Sequence, residues 1–424
     1  MLALHEHRND SATSCIFPPF AKHPLPLASR ATITPEGLSH FLREHLAVAV
    51  ALMHILLTAD TLTGTWTYAR ELATGLASQG VQVTLVSFGD VPLPEQTAWM
   101  DSLPGFDYRP TAFRLEWMQE GESDLDEASA YLMSLVEDIR PDLLHLTQYC
   151  FGALPVDIPR IVVAHGDLLS WWIAVHGHEP RETEWMRWYR GMVADGIRGA
   201  SFLVSPSMFM LDSIRLCYAK PLNSRVIHNG RNPLLFNPYI SKEDAALSVG
   251  KLWDAGKQVS LLTQHSHALP VCIVAADQPV EVVRVPLRAD VKLKTEECDV
   301  AFRGPQTEAQ LRSLYSRASV YVATSRYEPF GMALLEAALS RCAIVANDIP
   351  VFREIWGEAA IYFRTNSASS LAEALQRLSE DRELCRAHGN LAYQRARTRF
   401  NARRMVDEYT DLYRRLLVSR RSAA

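Results

Sequence analysis

Two glutamates near the C-terminal end of the chain stand where they could bind an anionic ligand. Glu328 and Glu336 have seven residues between them, and Pro329-Phe330-Gly331 directly follows the first acid. The apolar residues 320–324 before them predict a strand, and the Ala/Leu-rich residues 331–341 predict a helix. The first carboxylate is therefore predicted to lie at a strand-to-helix turn. At such a turn backbone N–H groups and the positive end of a helix dipole favour an anion such as the diphosphate of a sugar nucleotide.

The sequence around these glutamates, SRYEPFGMALLE at residues 325–336, resembles the E-x7-E signature of the retaining GT-B glycosyltransferases of group 1, also called family 4. The similarity extends over about residues 53–415. It implies an α/β fold in which two Rossmann-like, doubly wound domains face a central cleft. It also implies that Glu328 lies beside the transferred sugar as a catalytic residue, where it orients the donor and stabilises charge, and that Glu336 binds the donor ribose.

Two lysines follow a predicted strand, Lys251 directly after Gly250 and Lys257 six residues later. A leaving nucleoside diphosphate accumulates negative charge, which fixed cations stabilise. The resemblance implies that both lysines contact the diphosphate, although two solvated surface lysines are the alternative. The family commonly has arginine at the first position. Lys251 keeps the positive charge but lacks the bidentate fork of arginine.

Three glycine-related positions bear on how closely the backbone approaches a ligand. Gly331 opens the signature helix, so the N–H groups of Phe330, Gly331 and Met332 are candidates to hold phosphate or sugar oxygens. Gly64 corresponds to the glycine-rich turn after the first strand, where the family often has two glycines and this chain has one. Ala276 replaces a glycine of the second domain and would be strained if its φ had to be positive.

His165 ends a predicted strand over residues 161–165 and should face the cleft. The resemblance implies a catalytic position near the donor sugar and the acceptor, although a structural hydrogen-bonding histidine is an equal alternative. Trp171, Trp172 and the segment 113–118 are candidates to stack on an acceptor sugar. Packing in the core or between domains is the stronger interpretation of these aromatic side chains. The Asn229-Gly230-Arg231 segment resembles the family's turn before the domain linker, where its role could be hinge geometry alone.

Alternating strand and helix patterns organise the rest of the chain. Strands are predicted at 54–60 and 81–88 with a helix at 66–78 between them, which is the βαβ opening of a doubly wound sheet. A Gly- and Pro-containing linker is predicted at 229–244. The predicted domains are a poorly ordered extension (1–50), an N-terminal acceptor domain (51–235), a C-terminal nucleotide-sugar donor domain (236–400) and a C-terminal helix and tail (401–424).

Composition excludes several classes of protein. The 424 residues carry a net charge of −5, which argues against a nucleic-acid-binding protein. Seven dispersed cysteines without a C-x-x-C pair predict free thiols in a reducing compartment. The longest apolar run, residues 46–57, is shorter than the roughly 20 residues of a spanning helix. We therefore expect a cytoplasmic protein. The arginine-rich C-terminal helix leaves a peripheral contact with the inner face of the membrane open.

The resemblance implies a metal-independent hexosyltransferase without a cofactor, because GT-B enzymes manage the diphosphate with helix dipoles and basic side chains. It would move a sugar from a nucleotide-sugar to a hydroxyl of a glycan, lipid or small molecule. One alternative is a degenerate GT-B protein that binds a sugar nucleotide or glycan without turnover, which the altered residues Lys251, Thr65 and Ala276 motivate. A nucleotide-dependent oxidoreductase is disfavoured, because no G-x-G-x-x-G follows the first strand.

Overall fold

The computed structural model describes residues 53–423, except residues 120, 219, 253, 276–291 and 296–297. The predicted extension at residues 1–50 and the predicted turn residue Ala276 lie outside the described residues. Within the described residues the chain forms two seven-stranded sheets with helices on both faces of each. This confirms the predicted α/β fold of two Rossmann-like halves.

The first sheet is parallel throughout, with the strand order β3-β2-β1-β4-β5-β6-β7. Its strands are β1 (His54–Asp60), β2 (Gln82–Phe88), β3 (Phe106–Pro110), β4 (Leu143–Leu146), β5 (Arg160–Val163), β6 (Phe202–Ser205) and β7 (Ser224–Val226).

The second sheet has the order β10-β11-β9-β8-β12-β13-β14 and is parallel except for β10, which pairs antiparallel with β11. Its strands are β8 (Glu243–Val249), β9 (Val271–Val274), β10 (Lys292–Thr295), β11 (Cys298–Arg303), β12 (Ala318–Ala323), β13 (Ala343–Asn347) and β14 (Ala360–Phe363). Because β8 begins at Glu243, the connection between the sheets ends two residues before the predicted end of the linker.

Helices connect the parallel strands, as crossover connections require. The α-helices of the described residues are α1 (Thr65–Ser78), α2 (Pro94–Thr97), α3 (Glu122–Ile139), α4 (Leu168–His176), α5 (Glu184–Gly199), α6 (Met208–Cys217), α7 (Glu308–Arg317), α8 (Met332–Leu339), α9 (Pro350–Trp356), α10 (Ala368–Glu380), α11 (Arg382–Arg399) and α12 (Ala402–Ala423). Short 3-10 helices lie at Ala98–Met100, Cys150–Ala153, Pro233–Leu235, Val259–Thr263 and Gly357–Ala359.

Central strands such as β1 and β4 bury both of their faces, which explains their nearly continuous apolar sequences. In β1, Ile55 and Leu57 pack on the core that contains α1 and α12, whereas Leu56 packs on the opposite core with α3, α5 and α6. This alternation follows from the two-residue repeat of a strand. Because the strands of this sheet are all parallel, the loops that follow them leave at one edge.

The last helix returns to the first half of the molecule. α12 follows α11, which packs on the second sheet, and its residues Met405, Val406 and Tyr409 are buried in the core under β1 and α1. The chain therefore crosses between the halves twice, once after β7 and once before α12. The predicted domain boundaries at residues 50, 235 and 400 stay predictions. No helix among the described residues is long and apolar enough to cross a membrane.

Candidate active site

A cavity of about 610 Å³ lies where the carboxyl edges of the two sheets meet. The connections of the first sheet change direction between the neighbouring strands β1 and β4, and those of the second sheet between β8 and β12. Ligands of open parallel sheets bind at such switch points. Loops that follow these strands line the cavity. All the residues predicted for the site border it: Gly64, His165, Lys251, Lys257, Glu328, Phe330, Gly331, Met332 and Glu336.

Asp60 organises the turn that follows β1. Its carboxylate accepts hydrogen bonds from the N–H (2.7 Å) and hydroxyl (2.8 Å) of Thr63 and from the hydroxyl of Thr65. Thr65, which follows the single glycine of this turn, therefore helps to build it. The turn places Gly64 at the cavity wall, where a Cβ would lie 3.7 Å from Met332 Cγ of the other half. Gly64 and Met332, one from each half, are thus close neighbours in the cavity wall.

His165 lies in the cavity wall at the end of β5. Its ring packs edge-to-face on Tyr68, with 4.3 Å between ring centroids. Desolvation lowers the pKa of His165 to about 3, so the imidazole is neutral at pH 7. Its Nε2 is buried and has no hydrogen-bond partner among the described residues. A neutral imidazole with an unused nitrogen can accept or donate one hydrogen bond, depending on its tautomer.

Two amide side chains at the cavity were not predicted from the sequence. Gln148 follows β4, and Asn229 follows β7 in the first connection between the halves. Both residues are buried and line the cavity, and Gln148 Oε1 and Asn229 Oδ1 have no hydrogen-bond partner within the described part of the chain. Such oxygens suit the hydroxyls of a bound sugar. The strand-end position of Gln148 was the one signal in the sequence that could have indicated it.

The predicted aromatic residues divide into two groups. Trp171 and, from the segment 113–118, Trp117 line the cavity. Trp171 also donates its indole N–H to Asp254 of the other half at 3.0 Å. Trp172 packs on His176 instead, with 4.2 Å between ring centroids, and does not border the cavity. Trp117 and Trp171 therefore remain the candidates for stacking on a sugar.

Lys257 and Glu328 form an ion pair at the cavity wall, with 2.5 Å between Nζ and Oε2. Desolvation by itself would lower the pKa of Lys257, but the Glu328 carboxylate and, to a smaller extent, Asp254 more than compensate, and the net pKa lies above its ordinary value. Lys257 is therefore a permanent cation at neutral pH. Lys251 lies on the same side of the cavity and donates to the carbonyl of Leu62 at 2.6 Å.

The turn between β12 and α8 holds Glu328 in place. The hydroxyl of Ser325 donates to Glu328 Oε2 at 3.2 Å, and the amide of Asn347 donates to the Ser325 carbonyl at 3.1 Å. Phe330 is buried, and its ring lies 5.5 Å from that of Phe400, so it anchors the turn in the core. Contacts of its N–H group with a ligand stay a prediction.

Gly331 occupies a conformation that the following helix requires. Its φ is +96°, and a Cβ there would lie 2.9 Å from Leu334 Cδ1. Other residues would be strained in that backbone conformation. The first intrahelical bond of α8 runs from the Leu335 N–H to the Gly331 carbonyl at 3.2 Å. The preceding N–H groups have no partner within the helix and can serve an anion.

Glu336 borders the cavity from α8 and is paired with Arg231, with 3.0 Å between Oε1 and Nε. From the sequence, the only role considered for Arg231 was to shape the hinge between the domains. The structure adds a buried guanidinium that contacts three glutamates, because Glu71 and Glu308 pair with it as well. Burial raises the pKa of Glu336, and Arg231 opposes that rise.

Direct contacts join the two halves beside the cavity. The Tyr327 hydroxyl lies 2.8 Å from the Ser170 hydroxyl, and the Ser207 hydroxyl donates to the Pro329 carbonyl at 2.6 Å. The Glu354 carboxylate accepts the first two N–H groups of α6 at 2.7 and 2.9 Å, where it also complements the helix dipole. The two halves are therefore in contact around the site.

An Asp-x-Asp sequence, Asp124-Leu125-Asp126, begins in the first turn of α3. Asp124 accepts the N–H of Arg114 at 2.9 Å, and neither aspartate borders the cavity. Among the residues that the structure describes, no three His, Cys, Asp or Glu side chains are grouped to hold a metal ion. The positive charges that border the cavity in the described ranges belong to Lys251 and Lys257.

Comparisons with known proteins agree with this architecture. The sucrose-phosphate synthase of Thermosynechococcus elongatus superposes with a TM-score of 0.68 at 18% identity, and the match covers 87% of this chain and 100% of the synthase chain. HepE of Anabaena in complex with UDP-glucose superposes with a TM-score of 0.62 at 14% identity and covers 88% of this chain and 100% of its own. These likenesses show the fold.

Curated relatives match over shorter segments. The lipopolysaccharide core biosynthesis mannosyltransferase LpcC of Rhizobium leguminosarum bv. viciae is 30% identical over 166 residues, which are 39% of this chain and 47% of the relative. The O-antigen chain mannosyltransferase RfbU of Salmonella typhimurium is 25% identical over 197 residues, 46% of this chain and 55% of the relative. The matched segments thus span about half the length of these relatives.

Two family models match separate parts of the chain. Residues 62–233 match Glycosyltransferase Family 4, and residues 285–395 match Glycosyl transferases group 1. The first match begins after β1 and contains β2 to β7. The second match contains the β12–α8 turn with Glu328 and Glu336. Together with the two facing sheets, these matches show that the chain belongs to the group 1 glycosyltransferases of the GT-B fold.

Proposed function

We propose that this protein is a retaining glycosyltransferase that moves a hexosyl unit from a nucleoside-diphosphate sugar to a hydroxyl group. The observation that supports this proposal most directly is the Lys257–Glu328 ion pair. It borders the cavity between the two switch points, which neutral His165 also lines. Glycosyl transfer requires a cation beside the leaving diphosphate and a carboxylate beside the sugar. Negative charge grows on the leaving diphosphate while positive charge grows on the sugar.

The donor nucleotide would lie against the second sheet. Lys251, Lys257 and the N-terminus of α8 offer positive charge to the diphosphate without a metal ion. Glu336 would accept the ribose hydroxyls. Gly64 and Met332, which are close neighbours in the cavity wall, would border the diphosphate and the sugar.

The transferred sugar would lie between Glu328 and His165. In this arrangement Glu328 stabilises the oxocarbenium-like transition state, and the diphosphate competes with it for Lys257. Neutral His165 would hydrogen-bond a sugar hydroxyl through Nε2. We do not assign a carboxylate of this site as a nucleophile that attacks the sugar. Retention is supported by the resemblance of the E-x7-E sequence to retaining enzymes.

The relatives suggest the sugar and the acceptor to test first. LpcC and RfbU are named as mannosyltransferases of lipopolysaccharide core and O-antigen, and HepE was solved with UDP-glucose. We therefore propose a hexose donor and a glycan, lipid-linked glycan or small-molecule acceptor in the half that carries Trp117, Trp171 and Gln148. The protein would act in the cytoplasm, with a peripheral membrane contact for a lipid-linked acceptor.

The proposal is tested by incubating the protein with UDP-glucose, UDP-galactose, GDP-mannose, ADP-glucose and dTDP-glucose and a panel of glycan acceptors in EDTA. We expect one donor to be consumed and the anomeric configuration of the donor to persist in the product, as read by NMR. Glu328→Gln should abolish most of the turnover. An inverted product would refute retention, and donor binding without any turnover would favour the degenerate binding protein.

A further inference from the structure

Arg231 lies at the centre of a buried charge cluster. Its side chain is 1% exposed, and it pairs with Glu71 at 2.5 Å, with Glu308 at 3.0 Å and with Glu336 at 3.0 Å. Glu71 belongs to α1 of the first half, whereas Glu308 and Glu336 belong to α7 and α8 of the second. One guanidinium therefore joins three carboxylates from both halves.

The backbone of Arg231 is fixed as firmly as its side chain. Its N–H donates to the Phe400 carbonyl at 3.0 Å, and its carbonyl accepts the Ala402 N–H at 3.0 Å. The two chain crossings between the halves are hydrogen-bonded to each other at this residue. A Cβ on the preceding Gly230 would lie 2.4 Å from the Asn401 carbonyl oxygen, so glycine permits this close approach.

Glu336 depends on Arg231 for its charge. The groups that act on this carboxyl are Arg231, Glu308, Tyr315 and Arg70. Burial raises its pKa, the Glu308 charge adds to the rise, and Arg231 is the largest opposing influence. Without Arg231 the carboxylate would be partly buried beside a second carboxylate, which favours protonation or rotation away.

We infer that Arg231 is the positioning residue of the donor site and holds the Glu336 carboxylate in the orientation that the ribose hydroxyls require. This inference rests on the proposed function, in which Glu336 binds ribose. Arg231 itself does not border the cavity, so it acts through Glu336 and does not touch the nucleotide. Its Nε meets Glu336 as a charge contact without the alignment of a hydrogen bond, so Arg231 restrains this carboxylate through charge.

The test compares two ligands that differ only in the ribose hydroxyls. The nucleoside diphosphate that binds best among UDP, GDP and ADP is titrated by calorimetry beside its 2′,3′-dideoxy analogue. Hydrogen bonds to a charged group contribute about 1.5–3 kcal/mol, so the wild type should prefer the ribose form by roughly tenfold or more. Arg231→Gln and Arg231→Lys should bring this preference close to one.

Arg70→Gln is the matched control. Arg70 belongs to the same cluster and pairs with Glu308 at 2.5 Å, but no direct ion pair joins it to Glu336. We expect this variant to keep the wild-type preference. Arg231→Lys keeps the positive charge and so carries the test if Arg231→Gln does not fold.

The outcomes separate the inference from the proposed function. If the Arg231 variants bind both ligands more weakly by the same factor and keep the preference, Arg231 is structural and the inference is wrong. If the wild type does not distinguish the two ligands, Glu336 does not bind ribose, and the site assignment fails together with the inference. Loss of the preference in Arg70→Gln as well would show a general effect of the cluster and would also overturn the inference.

Discussion

At the scale of single residues, Lys257 is the cation that most directly fits the departing diphosphate. Glu328 already holds the Lys257 ammonium in position at the cavity, so the ammonium does not need to be reoriented when a diphosphate binds. We expect Lys257→Ala to weaken binding of the nucleoside diphosphate by roughly 10- to 100-fold, since charge-assisted hydrogen bonds contribute about 1.5–3 kcal/mol. Calorimetric titration of the wild type and of Lys257→Ala with the nucleoside diphosphate measures this difference in affinity. The free nucleoside should bind both proteins equally, and the exposed Lys220→Ala should behave as wild type.

Glu328 should matter more for turnover than for binding. Glu328→Gln keeps the shape of the side chain but removes the charge beside the sugar and frees Lys257 for the diphosphate. Loss of one preorganised electrostatic group costs about 3 kcal/mol, so kcat should fall roughly a hundredfold. The KM for the donor should stay near its wild-type value or fall. A variant with unchanged kcat would show that Glu328 is not at the reacting centre.

Sequence and structure agree best for residues whose neighbours along the chain determine their position. Glu328, Gly331 and Glu336 lie in one strand-to-helix segment, so their arrangement could be predicted from the spacing. Arg231 could not be understood in this way, because one of its partners, Glu71, is 160 residues away. Gln148 was missed for a similar reason, since its position after a strand is its one local signal and other residues that follow strands share it.

At the scale of elements, the turn that begins α8 depends on Gly331. A side chain there would meet an unfavourable φ of +96° and the Leu334 side chain, so Gly331→Ala should destabilise the protein by about 1–3 kcal/mol. It should also weaken donor binding, because the first N–H groups of α8 would shift. Gly177 is the control: its φ is +76°, but a Cβ there meets nothing within 4 Å.

Gly177→Ala should therefore show the cost of the backbone conformation alone. Chemical denaturation and donor titration of both variants provide the comparison. Equal donor affinity in Gly331→Ala and Gly177→Ala would contradict the assignment of the α8 N-terminus to the ligand.

The elements that sequence analysis predicted are those with a clear period or a clear end. The strand β1 lies at the predicted residues 54–60, and α1 (Thr65–Ser78) begins one residue before the predicted helix at 66–78 and ends with it. α4 was not predicted, because its sequence is apolar on nearly all sides and shows no helical period. Its beginning has a signal nevertheless, since Asp167 accepts the Ser170 N–H at 2.8 Å as an N-terminal cap.

At the scale of the whole molecule, α12 ties the end of the chain to the first half. His145 of β4 is fully buried, and its Nε2 and Nδ1 lie 2.9 Å and 2.7 Å from the hydroxyls of Tyr68 and Tyr413. Tyr68 belongs to α1 and Tyr413 to α12. This histidine thus connects the returning helix to the sheet, behind the wall that carries His165.

His145 should make stability depend on pH. Desolvation lowers its pKa to about 3, against an unfolded value of 6.5, so below pH 6.5 the unfolded chain binds a proton that the folded state does not. Its contribution to stability is complete above pH 6.5 and is lost as the pH falls towards 3. The loss is about 1.4 kcal/mol per pH unit.

Comparison with His145→Gln isolates this effect, because the other titrating groups are the same in both proteins. The variant should be less stable at pH 7.5, where the tyrosine hydroxyls lose partners. The difference in unfolding free energy should shrink by about 1.4 kcal/mol for each pH unit from 6.5 to 5. A difference that is constant with pH would show that His145 titrates normally in the folded protein.

The most direct test of the account is donor binding in the cavity between the two halves. Thermal unfolding of the wild type and of Glu336→Ala would be measured with UDP-, GDP-, ADP- and dTDP-sugars. At a hundredfold excess over Kd, a donor should add about 2.7 kcal/mol and raise Tm by a few degrees. We expect this rise for one nucleotide class in the wild type and its loss in Glu336→Ala. No rise with any donor, or an equal rise in the variant, would contradict it.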